Sequence, residues 1–153
     1  MVSPAITMNL EGTMDECICP VDCREVLVTQ SRAEIVNLLK QELNYLERGG
    51  YGGSMPWRPV SMFLDSPSCP NRLDVERSVP CAECWLFQFV PEKYHTEMNA
   101  CHFIPLNRDG ENVHSMSRQY SPAEVESALK LWLEAEIRHL EKLDRDTADK
   151  QEN

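Results

Sequence analysis

Apolar residues recur three and four positions apart in two stretches of the chain. Between those stretches they fall into short runs separated by prolines. In the first stretch Ile35, Leu38, Leu39, Leu43 and Leu46 share one face of a helix. Ser31-Arg32-Ala33-Glu34 opens it with a capping box, in which serine and the glutamate three residues on satisfy each other's free amides. The helix is expected to stop near Arg48, because Gly49-Gly50 can take the left-handed conformation of a C-terminal cap. The second stretch opens at Ser121-Pro122-Ala123-Glu124, with proline at the first helical position, where its missing N–H costs nothing. Val125, Leu129, Trp132, Leu133, Ile137, Leu140 and Leu143 make its apolar stripe. Past Leu143 the apolar residues end, so residues 144–153 are expected to fray.

The central runs read as strands. Val60-Ser61-Met62-Phe63-Leu64 is a short candidate, and Trp85-Leu86-Phe87-Gln88-Phe89-Val90 is a better one, with Trp85, Phe87 and Phe89 on one face. Cys101 to Leu106 contains Pro105, which places that strand at an edge or ends it early. Asn107-Arg108-Asp109-Gly110 signals a turn, and Val113 to Met116 would return as the second arm of a hairpin. The expected fold class is α+β. Two amphipathic helices pack on a small, mainly antiparallel sheet, with a cysteine-rich metal-site loop region. Residues 31–143 form the single domain, and residues 1–30 a mobile, cysteine-containing N-terminal segment. Gly49-Gly50-Tyr51-Gly52-Gly53 follows a helix rather than a strand, and no Gly-Lys-Ser/Thr follows it. It reads as a helix stop, not a phosphate loop.

Composition narrows the partners. The 153 residues are 42% hydrophobic and 26% charged, with a net charge of −10, which suits one globular domain. The acidity is spread along the chain and no segment is basic, so nucleic-acid binding lacks its electrostatic footing. No apolar run reaches the roughly 20 residues that cross a bilayer. The first residues carry neither the basic nor the apolar region of a secretory signal. A cytoplasmic protein is expected, and a reducing compartment disfavours structural disulfides. The chain holds seven cysteines, an odd number that leaves at least one over in any full pairing.

Four of them set the candidate chemistry. Cys81-Ala82-Glu83-Cys84 is a C-x₂-C pair, which lets two sulfurs converge from one tight turn while nearby backbone amides point at them. Cys69 lies twelve positions before the pair and Cys101 seventeen after it. Pro67, Pro70 and Pro80 stiffen the approaches. Together the four thiolates can complete a tetrahedral S₄ site with Zn–S bonds of about 2.3 Å. Soft sulfur donors suit zinc first and an iron–sulfur cluster second.

Residues 69–101 resemble zinc-ribbon and treble-clef modules. Those modules usually carry two C-x₂-C knuckles, often with glycine after the second cysteine. Here there is one pair, Trp85 stands in the glycine's place, and the other two ligands come singly. The resemblance implies a structural metal with Cys69, Cys81, Cys84 and Cys101 as its ligands.

Rival readings remain open. His102 adjoins Cys101 and can replace it in a Cys₃His site. His95 lies in a loop without a spacing signal. Cys81 and Cys84 can act as a thiol–disulfide redox pair, although the strand candidate after Cys84 offers no helix N-terminus to lower a thiol pKa. All four cysteines can also be ordinary packed side chains. Cys17, Cys19 and Cys23 form a separate C-x-C-x₃-C group among acidic residues, either an exposed thiol cluster or a second metal or oxidation-sensitive site.

A catalytic set is missing from the sequence. It has no G-x-S-x-G, H-E-x-x-H or dinucleotide fingerprint. Pro80-Cys81-Ala82-Glu83-Cys84 matches the later half of the zinc-deaminase pattern, but the first histidine in the chain is His95, so the upstream H-x-E is missing. A closed Cys₄ site leaves no coordination position for substrate. The expected function is therefore an interaction or regulatory module around a structural metal. An unknown protein partner would meet Trp57-Arg58-Pro59 or the acidic face of the last helix.

Overall fold

The structure is a computed structural model that describes residues 30–52 and 60–151. The groups Cys17, Cys19, Cys23 and Trp57-Arg58-Pro59 lie outside the described residues.

Two long helices form the platform. The first, α1 (Arg32–Glu47), begins with the expected capping box: Ser31 N–H donates to Glu34 Oε2 at 2.7 Å and Glu34 N–H to Ser31 Oγ at 3.3 Å. At its other end Gly49 stands at φ +75°. Gly49 N–H donates to Leu46 O and Gly50 N–H to Tyr45 O, each at 2.9 Å. This crossed pair is a Schellman closure, and only glycine reaches that left-handed backbone without strain. A longer helix, α3, runs from Pro122 to Gln151, after the short helix α2 (Val113–Met116). It opens on the same kind of box, Ser121 N–H to Glu124 Oε2 at 2.8 Å.

Helices α1 and α3 pack lengthwise. The ion pairs Arg32–Asp144, Lys40–Glu141 and Glu47–Lys130 join the start of one to the end of the other, so the helices are antiparallel. These pairs are exposed; they set register more than stability. The stability comes from burial of Ile35, Val36, Leu39 and Leu46 against Val125, Leu129, Trp132, Leu133 and Ile137. Leu140 and Glu141 are only partly buried, and residues 142–150 of α3 are exposed.

The α+β expectation is corrected by what lies between the helices: no strand occurs among the described residues. Trp85–Phe89 is a 3-10 helix, as are Cys81–Glu83, Glu92–Tyr94 and Ala100–Phe103. Extended residues punctuate them, namely Pro80, Cys84, the pair Val90-Pro91 and Ile104, with ψ between 124° and 140°. Each turn closes on itself, with Cys84 N–H to Cys81 O, Phe87 N–H to Cys84 O and Val90 N–H to Phe87 O. The apolar run therefore satisfies its amides locally and buries Trp85, Leu86 and Val90, leaving Gln88 outside. A short buried apolar run is compatible with strand or helix, and periodicity alone does not separate them.

Three other strand expectations fail as well: Cys101–Leu106 gives way to the 3-10 turn Ala100–Phe103, closed by Ile104 N–H on Cys101 O, and the remaining two fail for different local reasons. Around residues 60–64 the Asp65 carboxylate accepts from Ser61 N–H at 2.7 Å and Asp65 N–H returns to Ser61 O at 3.0 Å, folding the run into a turn. Phe63 sits there at φ +63° with its ring buried edge-on to Trp132. Val113–Met116 is a single helical turn, α2, because Asn112 and Ser115 cap each other's amides at 2.9 and 3.0 Å. Side-chain oxygens of this kind draw a short segment away from sheet pairing. The Asn107–Gly110 turn is present, but it leads into α2 and not into a returning strand.

Candidate metal centre

Cysteine placement follows from this run of turns. A 3-10 helix has three residues per turn, so residues three apart lie on one side. Cys81 opens the turn Cys81–Glu83 and Cys84 caps it, which sets the two side chains on a common side. Cys101 belongs to the turn Ala100–Phe103. Cys69 enters from a third segment, its N–H bonded to Ser66 O at 3.1 Å. All four line one cavity of about 20 Å³, together with Phe63, Leu86 and Arg77. All four are free thiols of intermediate exposure.

Space of this size holds about one small species. As they stand, however, no three His, Cys, Asp or Glu side chains among the described residues are grouped closely enough to hold a metal ion. The shared cavity brings three segments to one place, while no three of the sulfurs stand at a common point.

Burial and mutual charge act on the thiols in the same direction. Burial pushes the Cys84 thiol up to about 11, and negative charge on Cys69 and Cys81 would push in the same direction. Burial also raises Cys101, again with the other three cysteines adding to it. Cys69 is raised by burial, against the pull of the Asn71 amide and the Arg77 charge. Mutual effects of this kind require proximity. Two backbone amides favour the thiolates: Leu86 N–H at Cys84 and Asn71 N–H at Cys69, each two residues after its cysteine. Cys81 Sγ donates to Met98 O at 3.4 Å.

The histidines face elsewhere. His102 Nε2 lies 3.0 Å from Met62 O and 3.2 Å from Ser61 Oγ. It lines a separate cavity with Val113 and Val125, and burial holds its imidazole below the ordinary 6.5. On a 3-10 turn adjacent residues diverge by about a third of a revolution, which separates His102 from Cys101. His95 lies tilted against Phe87, ring centroids 4.2 Å apart, and is bonded to Val90 O at 2.9 Å.

Two neighbours of the cysteine cavity escaped the sequence reading. The first is Glu42, 1% exposed on the inner face of α1. Its carboxylate accepts from Tyr51 Oη and Ser66 Oγ, and from Ser68 Oγ at 3.0 Å. Burial, and then the Glu42 charge, raise the Tyr51 phenol above its ordinary 10, so Tyr51 stays a donor. Its oxygen in turn accepts from Phe63 N–H at 3.0 Å. Through Ser66 and Ser68 this network fixes the turn that delivers Cys69. A signal existed: Glu42 falls on the stripe Ile35, Leu39, Leu46, where a charge must find buried partners.

The second is Arg77, at φ +52°. Asn71 closes its loop at both ends, accepting from Val79 N–H at 3.1 Å and donating to Val79 O at 2.7 Å. Asp74 folds the loop inward by accepting from the Glu76 and Ser78 amides at 3.0 and 2.8 Å. The loop thus turns Arg77 towards the cysteines while Leu73 and Val75 stay 90% and 97% exposed. Nothing in the sequence distinguishes this arginine from its charged neighbours.

No family model, curated protein or solved structure matches the chain.

Proposed function

We propose that the chain is a small interaction or regulatory module whose central turns are held by one structural metal ion, zinc first, on Cys69, Cys81, Cys84 and Cys101. The observation that carries this reading is the arrival of four cysteines from three segments at one cavity of about 20 Å³. Four thiolates are a soft, closed donor set, suited to a structural site rather than a catalytic one. Room for about one small species favours a single ion over an iron–sulfur cluster. The i+2 amides at Cys69 and Cys84 add hydrogen bonds to thiolate sulfur. Binding draws the side chains inward from their metal-free positions. The exposed Leu73, Val75 and Met98, on the loops beside the site, favour an interaction role.

A redox role for Cys81 and Cys84 is less well supported. The raised Cys84 thiol is a poor thiolate at neutral pH, and the three-residue turn after Pro80 supplies little dipole.

Elemental analysis of protein purified without an affinity tag tests the reading. One zinc per chain is expected, retained when Cys17, Cys19 and Cys23 are all changed to Ser and lost when Cys81 or Cys101 is. Zinc that follows the N-terminal group instead, or a chain that takes up none on reconstitution, contradicts it.

A further inference from the structure

Arg77 is costly to place. It sits at φ +52°, and a non-glycine residue in the left-handed region is strained. Its guanidinium is pinned at one end, where Nη1 donates to Asn99 Oδ1. The other end, Nη2, is buried with no hydrogen-bond partner among the described residues. A buried cationic N–H without an acceptor is among the least favourable arrangements in a protein interior. Yet the loop is built to deliver it, closed by Asn71 and Val79 and folded on Asp74. The same side chain lines the cysteine cavity.

We infer that Arg77 is the counter-charge of the thiolate site: anchored through Nη1 on Asn99, it presents Nη2–H as a hydrogen-bond donor to the sulfur cluster when a cation is bound. This rests on the zinc reading above. A divalent ion on four thiolates leaves a net charge of −2, and one guanidinium offsets half of it. An acidic chain of net charge −10 gives that compensation added weight, because the surrounding field does not supply it. The unmatched N–H and the strained backbone are then both accounted for by an anion that forms only on metal binding. Arg77 is a positioning residue, acting on the ligands and not on the ion. Outer donors of this kind commonly change metal affinity 10- to 100-fold.

The test uses the full chain, zinc and cobalt(II) as probes, and the variants Arg77→Met, Arg77→Lys and Asn99→Ala. Zinc affinity is measured by competition with a chelator. Alkylation of the metal-bound thiols is timed with iodoacetamide, and the thiolate-to-cobalt charge-transfer band is recorded. Arg77→Met is expected to weaken zinc binding by about tenfold or more and to speed alkylation. It should also move the band to longer wavelength, because a thiolate stripped of its donor gives up an electron more readily. Arg77→Lys, which keeps the charge, should recover part of each change, and Asn99→Ala should show a smaller shift in the same direction. If the wild type and Arg77→Met bind zinc and react within twofold of each other with the same cobalt spectrum, the inference is wrong while the zinc site stands. If the wild type binds neither ion, both fail. A variant that folds poorly without metal is still read from its cobalt spectrum once loaded, and an unchanged band overturns the inference.

Discussion

Glu42 shows how much one side chain can hold. Its carboxylate receives three hydroxyls on the inner face of α1, and two of these belong to the segment just before Cys69. Glu42→Ala leaves those hydroxyls without an acceptor and opens a void, so it should cost about 2–5 kcal/mol in denaturant unfolding. A loss below about 1 kcal/mol, the scale of an ordinary surface change, would show that the network is incidental. The caps make a pH-dependent prediction. The Ser31 amide and hydroxyl hold Glu34 below its ordinary 4.5. A carboxyl depressed in the folded state contributes stability that is full above its unfolded value and is lost as pH falls through the folded one. NMR titration should therefore place Glu34 below 4.5 in the native protein and return it towards 4.5 in Ser31→Ala. The caps were legible in the sequence because their chemistry is local: serine, glutamate and glycine at fixed offsets. Glu42 was legible only in part. Its place on the apolar stripe was visible, but its three partners are separated from it in sequence and meet it only through tertiary packing.

At the scale of elements, the two long helices were readable and the middle was not. Both helices carry many turns of a 3.6-residue pattern, and a pattern of that length overrides local ambiguity. Trp85–Phe89 offers only five residues. Its alternating aromatics suit a strand, while the decisive factors are the i→i+3 bonds and the prolines that isolate each turn. The same holds at Val113–Met116, where Asn112 and Ser115 outweigh β propensity. Backbone chemical shifts should therefore be helical in sign over residues 85–89 and 113–116; extended values there would restore the sheet. Helix α1 also has a steric stop. A Cβ on Gly50 would meet the Tyr45 ring at 2.5 Å, and that ring is held by the Tyr45 hydroxyl donating to Gly50 O at 2.9 Å. Gly50→Ala should destabilise the protein by about 1–3 kcal/mol, as overpacking does, read from the shift in denaturant midpoint.

The whole molecule divides into a helical platform and a run of turns laid across it. Helices α1 and α3 bury continuous apolar faces and join through three ion pairs. The turns between residues 60 and 106 have short-range backbone bonds and one apolar side each, which is weak support for so long a segment. A metal tie among Cys69, Cys81, Cys84 and Cys101 would join three of its parts at one point. Structural zinc can supply on the order of 10 kcal/mol, comparable to the entire stability of a small domain. The cysteine spacing singled out four residues that line one cavity, and residues three apart share a side of a 3-10 turn. Arg77 gave no such signal, because its importance lies in a backbone conformation and an unmatched N–H that only coordinates reveal.

X-ray absorption at the zinc edge of the loaded protein tests the central claim most directly. The account predicts a single shell of four sulfurs at about 2.3 Å. A shell dominated by nitrogen or oxygen, or one with fewer than four sulfurs, would contradict it.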